Sequence, residues 1–113
     1  MSNNQTSTEK AMPARDSEGF LRNLADWDED TAKELAKAEA IDLTSAHWEV
    51  ITALRLFYDA HRLAPANRAL VALIKRELGA EKGQSRYLMK LFGGSPAKIA
   101  AKVAGLPKPE NCL

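Results

Sequence analysis

The sequence predicts a mainly α protein of the α+β class, a small five-helix domain with a short N-terminal β-hairpin and a mobile C-terminal arm. Three observations lead to this prediction. Apolar residues recur at helical spacing in several consecutive segments between residues 27 and 104. Proline, glycine and small polar residues separate these segments at short intervals. A length of 113 residues suits one domain with one modest core.

The chain divides into a tail, a domain and an arm. Residues 1–14 are polar and lack hydrophobic periodicity, which predicts a disordered tail. Residues 15–104 form the predicted helical domain, and residues 105–113 form the arm. Near the start of the domain, Asp16-Ser17-Glu18-Gly19 is a turn signal beside short apolar pieces. A small hairpin is the most that these pieces allow.

Capping residues mark the starts of the first two helices. Helix one is predicted to begin near Trp27, because Asp26 or Asp28 can cap it. Helix two is predicted to begin after Thr44 as its N-cap. Its apolar stripe is the broadest in the chain, although Arg55 occupies one position of that stripe.

Proline and glycine mark the other three helices. Helix three is predicted to open near Pro65 and to close at Gly79. Helix four is capped by Ser85 and ended by a pair of glycines. Helix five begins at Ser95-Pro96 and stops at Gly105, where the arm begins.

Composition excludes several classes of protein. No apolar run is long enough to cross a bilayer, and the first residues lack the apolar stretch of a secretory signal. We therefore expect a cytoplasmic protein without a membrane partner. One cysteine excludes an intrachain disulfide framework, and one cysteine with two histidines is too few for a zinc site. The chain also lacks a Gly-rich phosphate loop and a catalytic triad, so we expect no metal and no cofactor.

Charge is distributed unevenly along the chain. Residues 1–60 contain six Lys/Arg and twelve Asp/Glu, whereas residues 61–113 contain ten Lys/Arg and three Asp/Glu. A basic face that steers the arm toward an acidic partner or RNA would give this pattern, and so would an ordinary solvated surface. Helices two and three also allow a helix-turn-helix-like DNA-binding regulator, with basic residues on helix three at Arg68, Lys75 and Arg76.

The arm contains the only cysteine, Cys112, one residue from the end of the sequence. Pro107 and Pro109 fix φ and remove two backbone donors, so the arm is predicted to be extended and semi-rigid. Glu110 and the terminal carboxylate disfavour a thiolate at Cys112. Activation of this thiol is therefore expected to come from a partner's site. The alternative is a plain interaction domain whose cysteine is incidental.

Several segments together resemble a known family. They are Leu43-Thr44 with His47-Trp48-Glu49-Val50, residues 81–88, Leu91-Phe92 with Pro96-Ala97-Lys98, and the run from Ala104 to Pro109 that leads to Cys112. This pattern, from residue 16 to residue 113, resembles the TusE/DsrC family of sulfur carriers. The penultimate cysteine after a Pro-Lys-Pro arm is its most specific part.

The resemblance implies a chemistry for the arm. Cys112 would accept sulfur as a persulfide and pass it on, as a sulfurtransferase-type carrier rather than a self-contained enzyme. DsrC-type members have a second arm cysteine where this chain has Ala101, so the single-cysteine pattern is closer to TusE. TusE implies a sulfur relay in tRNA 2-thiouridine synthesis. A single-cysteine DsrC-like carrier in a sulfur-oxidation pathway is the alternative.

The resemblance also implies partners. They are a TusBCD/DsrEFH-like sulfur donor and a tRNA 2-thiouridylase or another sulfur acceptor, and stable nucleic-acid binding is not expected. Basic residues are the predicted partner contacts, although each could equally be an ordinary surface residue. These residues are Lys82, Arg86, Lys98 and Lys108.

Overall fold

The computed structural model describes residues 11–110, which contain five α-helices joined by short connections. A 3-10 helix, Leu24–Asp26, precedes them. The α-helices are α1 (Glu29–Ala38), α2 (Ser45–His61), α3 (Asn67–Leu78), α4 (Ser85–Phe92) and α5 (Pro96–Val103). The prediction of a mainly helical fold with five helices is confirmed. None of these helices has the length and apolar character needed to span a membrane.

Two of the predicted caps hold the helix starts. Of the two candidates for α1, the N-cap is Asp28, whose carboxylate accepts the Thr31 N–H at 2.8 Å. Thr44 is the N-cap of α2, as predicted. At the third position of α2, His47 completes the cap, because its Nδ1 accepts the Thr44 N–H at 3.0 Å.

His47 also connects α2 to the end of α4. Its ring is 7% exposed, and Nε2 lies 2.8 Å from the Leu91 carbonyl oxygen. Because Nδ1 accepts from a backbone amide, Nε2 is the nitrogen that bears the hydrogen and donates to Leu91. The ring meets Phe92 edge to face at 5.1 Å.

Helix α5 lies at the centre of the domain. It contacts each of the other four helices, and six of its eight residues are buried. Alanines form much of its surface, so the neighbouring helices can approach it closely. The arm continues directly from α5 and therefore starts at the centre of the fold.

The predicted N-terminal hairpin is wrong for the described residues. The chain folds back there through one isolated antiparallel bridge, between Arg15 and Leu21, and forms no strand. The Asp16 carboxylate accepts the N–H groups of Phe20 at 3.0 Å and Glu18 at 2.9 Å, which stabilises the turn. The backbone hydrogen bond from Phe20 contributes most to holding the pKa of Asp16 below its ordinary value. Pairing stops after one bridge because the chain enters the 3-10 helix three residues later.

The predicted tail falls largely on residues 1–10, which lie outside the described part of the chain. Within the rest of the tail, Met12 is half-buried and packs against the core. The structured part of the protein therefore reaches at least to this methionine.

The first part of the arm packs against the domain at Gly105, Leu106 and Pro109, where a mobile arm was predicted. The Gly105 N–H donates to Lys102 at 3.0 Å, and the Leu106 N–H donates to Ala101 at 2.9 Å. These two bonds form a Schellman motif, in which the residue after the glycine turns back onto the helix. Leu106 is accordingly only 2% exposed, and Pro109 is also buried.

Candidate functional site

Cys112, the predicted sulfur-bearing residue, lies outside the described residues. The structure follows the arm as far as Glu110, two residues before the cysteine. The candidate site is therefore built from the first residues of the arm and from the side chains that hold them.

Two side chains hold the backbone where α5 becomes the arm. The Trp27 Nε1–H donates to the Val103 carbonyl at 2.9 Å, and the Arg55 guanidinium donates to the Ala104 carbonyl at 2.6 Å. The last carbonyls of a helix have no intrahelical partner and carry partial negative charge, so a cation and an indole N–H satisfy them well. The arm thus leaves the domain in a direction that these two contacts fix.

The same two side chains stack on each other. The guanidinium carbon of Arg55 lies 3.8 Å from the centroid of the Trp27 ring, within the range of a cation–π interaction. Burial lowers the pKa of Arg55, and the Asp59 carboxylate opposes that shift. An arginine remains protonated in proteins, so the group on the Ala104 carbonyl is a full positive charge.

Gly105 gives the indole room to lie against the backbone. Its φ of +74° is in the left-handed region, and a Cβ at this position would overlap the Cγ and Cδ1 atoms of Trp27. Glycine is therefore required here both by conformation and by the close approach of Trp27.

Two of the predicted partner contacts converge on one carboxylate. Lys108 of the arm lies 3.1 Å from a Glu18 carboxylate oxygen, and Lys98 on α5 lies 3.9 Å from the same oxygen. Glu18 belongs to the N-terminal turn, so the pair joins the arm to the opposite end of the described chain.

Removal of the Glu18 charge should loosen the arm without unfolding the protein. For Glu18→Gln we expect a loss of less than about 1 kcal/mol in unfolding free energy, because exposed ion pairs are weak. Amide hydrogen exchange at Leu106, Lys108 and Glu110 should accelerate measurably, since the Lys108 ion pair is lost. Glu34→Gln, an exposed glutamate on α1, is the matched control. Equal exchange in both variants would show that the ion pair does not restrain the arm.

The other two predicted contacts lie elsewhere. Lys82 donates to Glu49 of α2 at 2.7 Å, and this hydrogen bond raises the pKa of Lys82 above its ordinary value. Arg86 is exposed in the first turn of α4. The structure therefore brings Lys98 and Lys108 together and places Lys82 in a separate ion pair.

Sequence reasoning missed three residues of this site. Trp27 was assigned only to a helix start, and Arg55 only to a helix stripe. A charged residue within a buried stripe was the available signal, because such a group requires a polar partner. Lys102 was missed as well; its side chain is 9% exposed and donates to Glu39 at 2.8 Å.

No candidate metal centre is present in the described part of the chain. Residues 11–110 contain no group of three or more His, Cys, Asp or Glu side chains that could hold an ion.

The family model described as DsrC like protein matches residues 7–113. The chain belongs to the DsrC-like family. It is 51% identical over 98 residues to the "Sulfurtransferase TusE homolog" of Haemophilus influenzae, which covers 87% of this chain and 90% of that protein. It is 52% identical, again over 98 residues, to "Sulfurtransferase TusE" of Photorhabdus laumondii, which covers 87% of this chain and 88% of the relative.

Solved structures of DsrC have the same fold. The NMR structure of Allochromatium vinosum DsrC superposes with a TM-score of 0.80 at 46% identity, covering 88% of this chain and 89% of that one. The crystal structure of the oxidized gamma-subunit of the dissimilatory sulfite reductase (DsrC) from Archaeoglobus fulgidus superposes with a TM-score of 0.77 at 39% identity, covering 89% and 92%. The arrangement around the arm is thus built on a DsrC-like fold.

Proposed function

We propose that this protein is a sulfur relay that receives sulfur as a persulfide on Cys112 and passes it to an acceptor in tRNA 2-thiouridine synthesis. The strongest support is a combination of two observations. The chain has one penultimate cysteine, and it is 51% and 52% identical to two TusE sulfurtransferases over 87% of its length. The sulfur donor in this proposal is a TusBCD-type complex, and the acceptor is the tRNA 2-thiouridylase. A free thiol of this kind suits the reducing cytoplasm.

The proposed chemistry is two thiol–persulfide exchanges. The Cys112 thiolate attacks the outer sulfur of a donor persulfide, a new S–S bond forms, and the donor's inner sulfur leaves as a thiolate. In the second exchange an acceptor thiolate attacks the outer sulfur on Cys112, and Cys112 leaves as a thiolate. No external oxidant or reductant is needed, because each exchange breaks one S–S bond and forms another.

The fold supports a carrier with only one thiol. Ala101 takes the place that the DsrC pattern gives to a second cysteine, and it is fully buried on α5. A persulfide on Cys112 therefore has no thiol of its own chain to react with, because Cys112 is the only cysteine. The sulfur stays available until an acceptor thiol arrives.

The second candidate is a single-cysteine carrier in a sulfur-oxidation pathway. The likeness to DsrC structures at 46% and 39% identity favours it, but the identity to TusE proteins is higher. The DNA-binding regulator is disfavoured, since none of the relatives described above is a regulator.

Complementation tests the tRNA assignment. In Haemophilus influenzae that lacks its TusE homolog, expression of this chain should restore most of the 2-thiouridine in tRNA, measured by mass spectrometry of hydrolysed nucleosides. The native homolog and an empty vector are the controls. A protein level equal to that of the native homolog with no gain in 2-thiouridine would contradict the assignment.

A further inference from the structure

A groove runs beside the arm on the surface of the domain. One wall comes from the end of α2 and the connection to α3, including Phe57, Leu63 and Pro65. The other wall comes from the arm itself, with Pro107 and Glu110. The groove has a volume of about 270 Å³. Sites for small molecules usually range from about 300 to 1,000 Å³, so this groove suits one anchoring side chain better than a cofactor.

The groove contains an exposed aliphatic residue. Three large hydrophobic side chains of the described residues are exposed, namely Leu56 at 64%, Leu63 at 48% and Met89 at 46%. Of these, Leu63 lines the groove and the other two lie outside it. A partner that covered Leu63 would remove this apolar surface from water.

The groove also contains charged side chains: Arg62 and Lys108 are positive and Glu110 is negative, and Lys108 is paired with Glu18. Arg62 lines it and lies over the Tyr58 ring at 5.5 Å, and no carboxylate of residues 11–110 pairs with it. The backbone of Arg62 ends α2 in the left-handed region, where its N–H donates to Tyr58 at 2.7 Å. The base of this side chain is thus fixed, and the sequence from residue 61 onward is basic by seven charges, ten minus three. A carboxylate would complement this end of the groove.

The groove lies close to Cys112 along the sequence. Glu110 lines it and precedes Cys112 by two residues, so the two Cα atoms are at most about 7 Å apart. A protein seated in the groove would therefore contact the chain within about 7 Å of the Cys112 Cα.

We propose that this groove is the docking site for a protein that gives sulfur to Cys112, and that this protein inserts an aliphatic or aromatic side chain next to a carboxylate. The proposal rests on the proposed relay function and adds the surface that recognises the partner. Recognition at the groove would raise the local concentration of the donor persulfide around the arm.

The test compares two sulfur donors with matched variants. Loading of Cys112 is followed by intact mass, once with a persulfidated TusBCD complex and once with glutathione persulfide. Leu63→Asp should slow loading from the complex by about tenfold or more, because it places a charge in the apolar contact. Its loading from glutathione persulfide should stay within about twofold, since the small donor needs no docking. Leu56→Asp, on the exposed face of α2 outside the groove, should match the wild type with both donors.

A charge reversal tests the other half of the proposal. Arg62→Glu should slow loading from the complex and weaken its dependence on salt, whereas Arg68→Glu on the exposed face of α3 should change little. Each pair of variants should melt within a few degrees of the wild type, because both leucines and both arginines are exposed.

Three results would overturn the docking proposal. Equal loading of Leu63→Asp and wild type from the complex would show that the groove is not used. Faster alkylation of Cys112 by iodoacetamide in Leu63→Asp would assign the groove to the chain's own C-terminus. Loss of self-association in Leu63→Asp, seen by sedimentation, would assign it to a second copy. Failure of the wild type to load from either donor would instead contradict the relay function itself.

Discussion

Replacement of Cys112 by serine is expected to abolish sulfur loading. After incubation with a persulfide donor, the wild-type protein should gain about 32 Da for each sulfur bound, and the variant should gain nothing. The reason is that Cys112 is the only cysteine, so no other side chain can form a persulfide. Intact mass spectrometry before and after treatment with a reductant measures the effect, because the reductant removes a persulfide sulfur.

The stability of the same variant is the control for this result. Serine is close to cysteine in size, so thermal unfolding of Cys112→Ser should match that of the wild type within about one degree. A sulfur gain that persists in a correctly folded Cys112→Ser protein would contradict the proposed carrier site. The absence of any gain in the wild type with every donor tested would contradict the carrier function.

Replacement of Gly105 by alanine is expected to cause a large loss of stability from a single added methyl group. The new Cβ would overlap the Trp27 indole, and the backbone would be forced to hold an alanine at a φ of +74°. The left-handed backbone conformation costs an alanine about 1 kcal/mol. Displacement of the indole would also remove its hydrogen bond to Val103 and its stacking with Arg55, each worth about 1 kcal/mol. We expect a total loss of about 3 kcal/mol, measured by chemical denaturation.

Gly79 provides a matched control for the steric part of this effect. Its φ is +103°, which is also strained for alanine, but no atom lies within 4 Å of the position of a Cβ. Gly79→Ala should therefore lose only the backbone contribution, about 1–2 kcal/mol. Similar losses at the two glycines would mean that Trp27 moves aside at little cost.

In Gly105→Ala, sulfur loading from a protein donor should also slow, because the start of the arm is displaced.

The helices could be predicted because their ends are specified by nearby residues. The N-caps Asp28 and Thr44 each form a hydrogen bond with a residue three positions later in the sequence. Gly79 ends α3 through its own backbone conformation. The prediction of an N-terminal hairpin was wrong for a related reason. The turn signal around Asp16 is local and is present in the structure, whereas strand pairing requires several residues in register on both sides.

The side chains that organise the site could not be predicted, because their partners are distant in sequence. Arg55 contacts a carbonyl 49 positions away, and Trp27 one 76 positions away. Lys108 reaches Glu18 across 90 positions. The helical spacing of residues along the chain does not reveal which distant residues they will contact. The packing of Leu106 did have a local signal, since an apolar residue directly after a helix-ending glycine is typical of a Schellman motif.

The contacts that hold the arm at α5 are made to peptide carbonyls, and every amino acid supplies the same carbonyl. Trp27 and Arg55 would keep their hydrogen bonds after any substitution at positions 103 and 104 that fits the buried surroundings of these residues. The residues that fix the direction of the arm are therefore different from the residues that would select its partner. Under the docking proposal, substitutions at Leu63 or Arg62 would change which protein meets the thiol, while the direction of the arm stays set by Trp27 and Arg55.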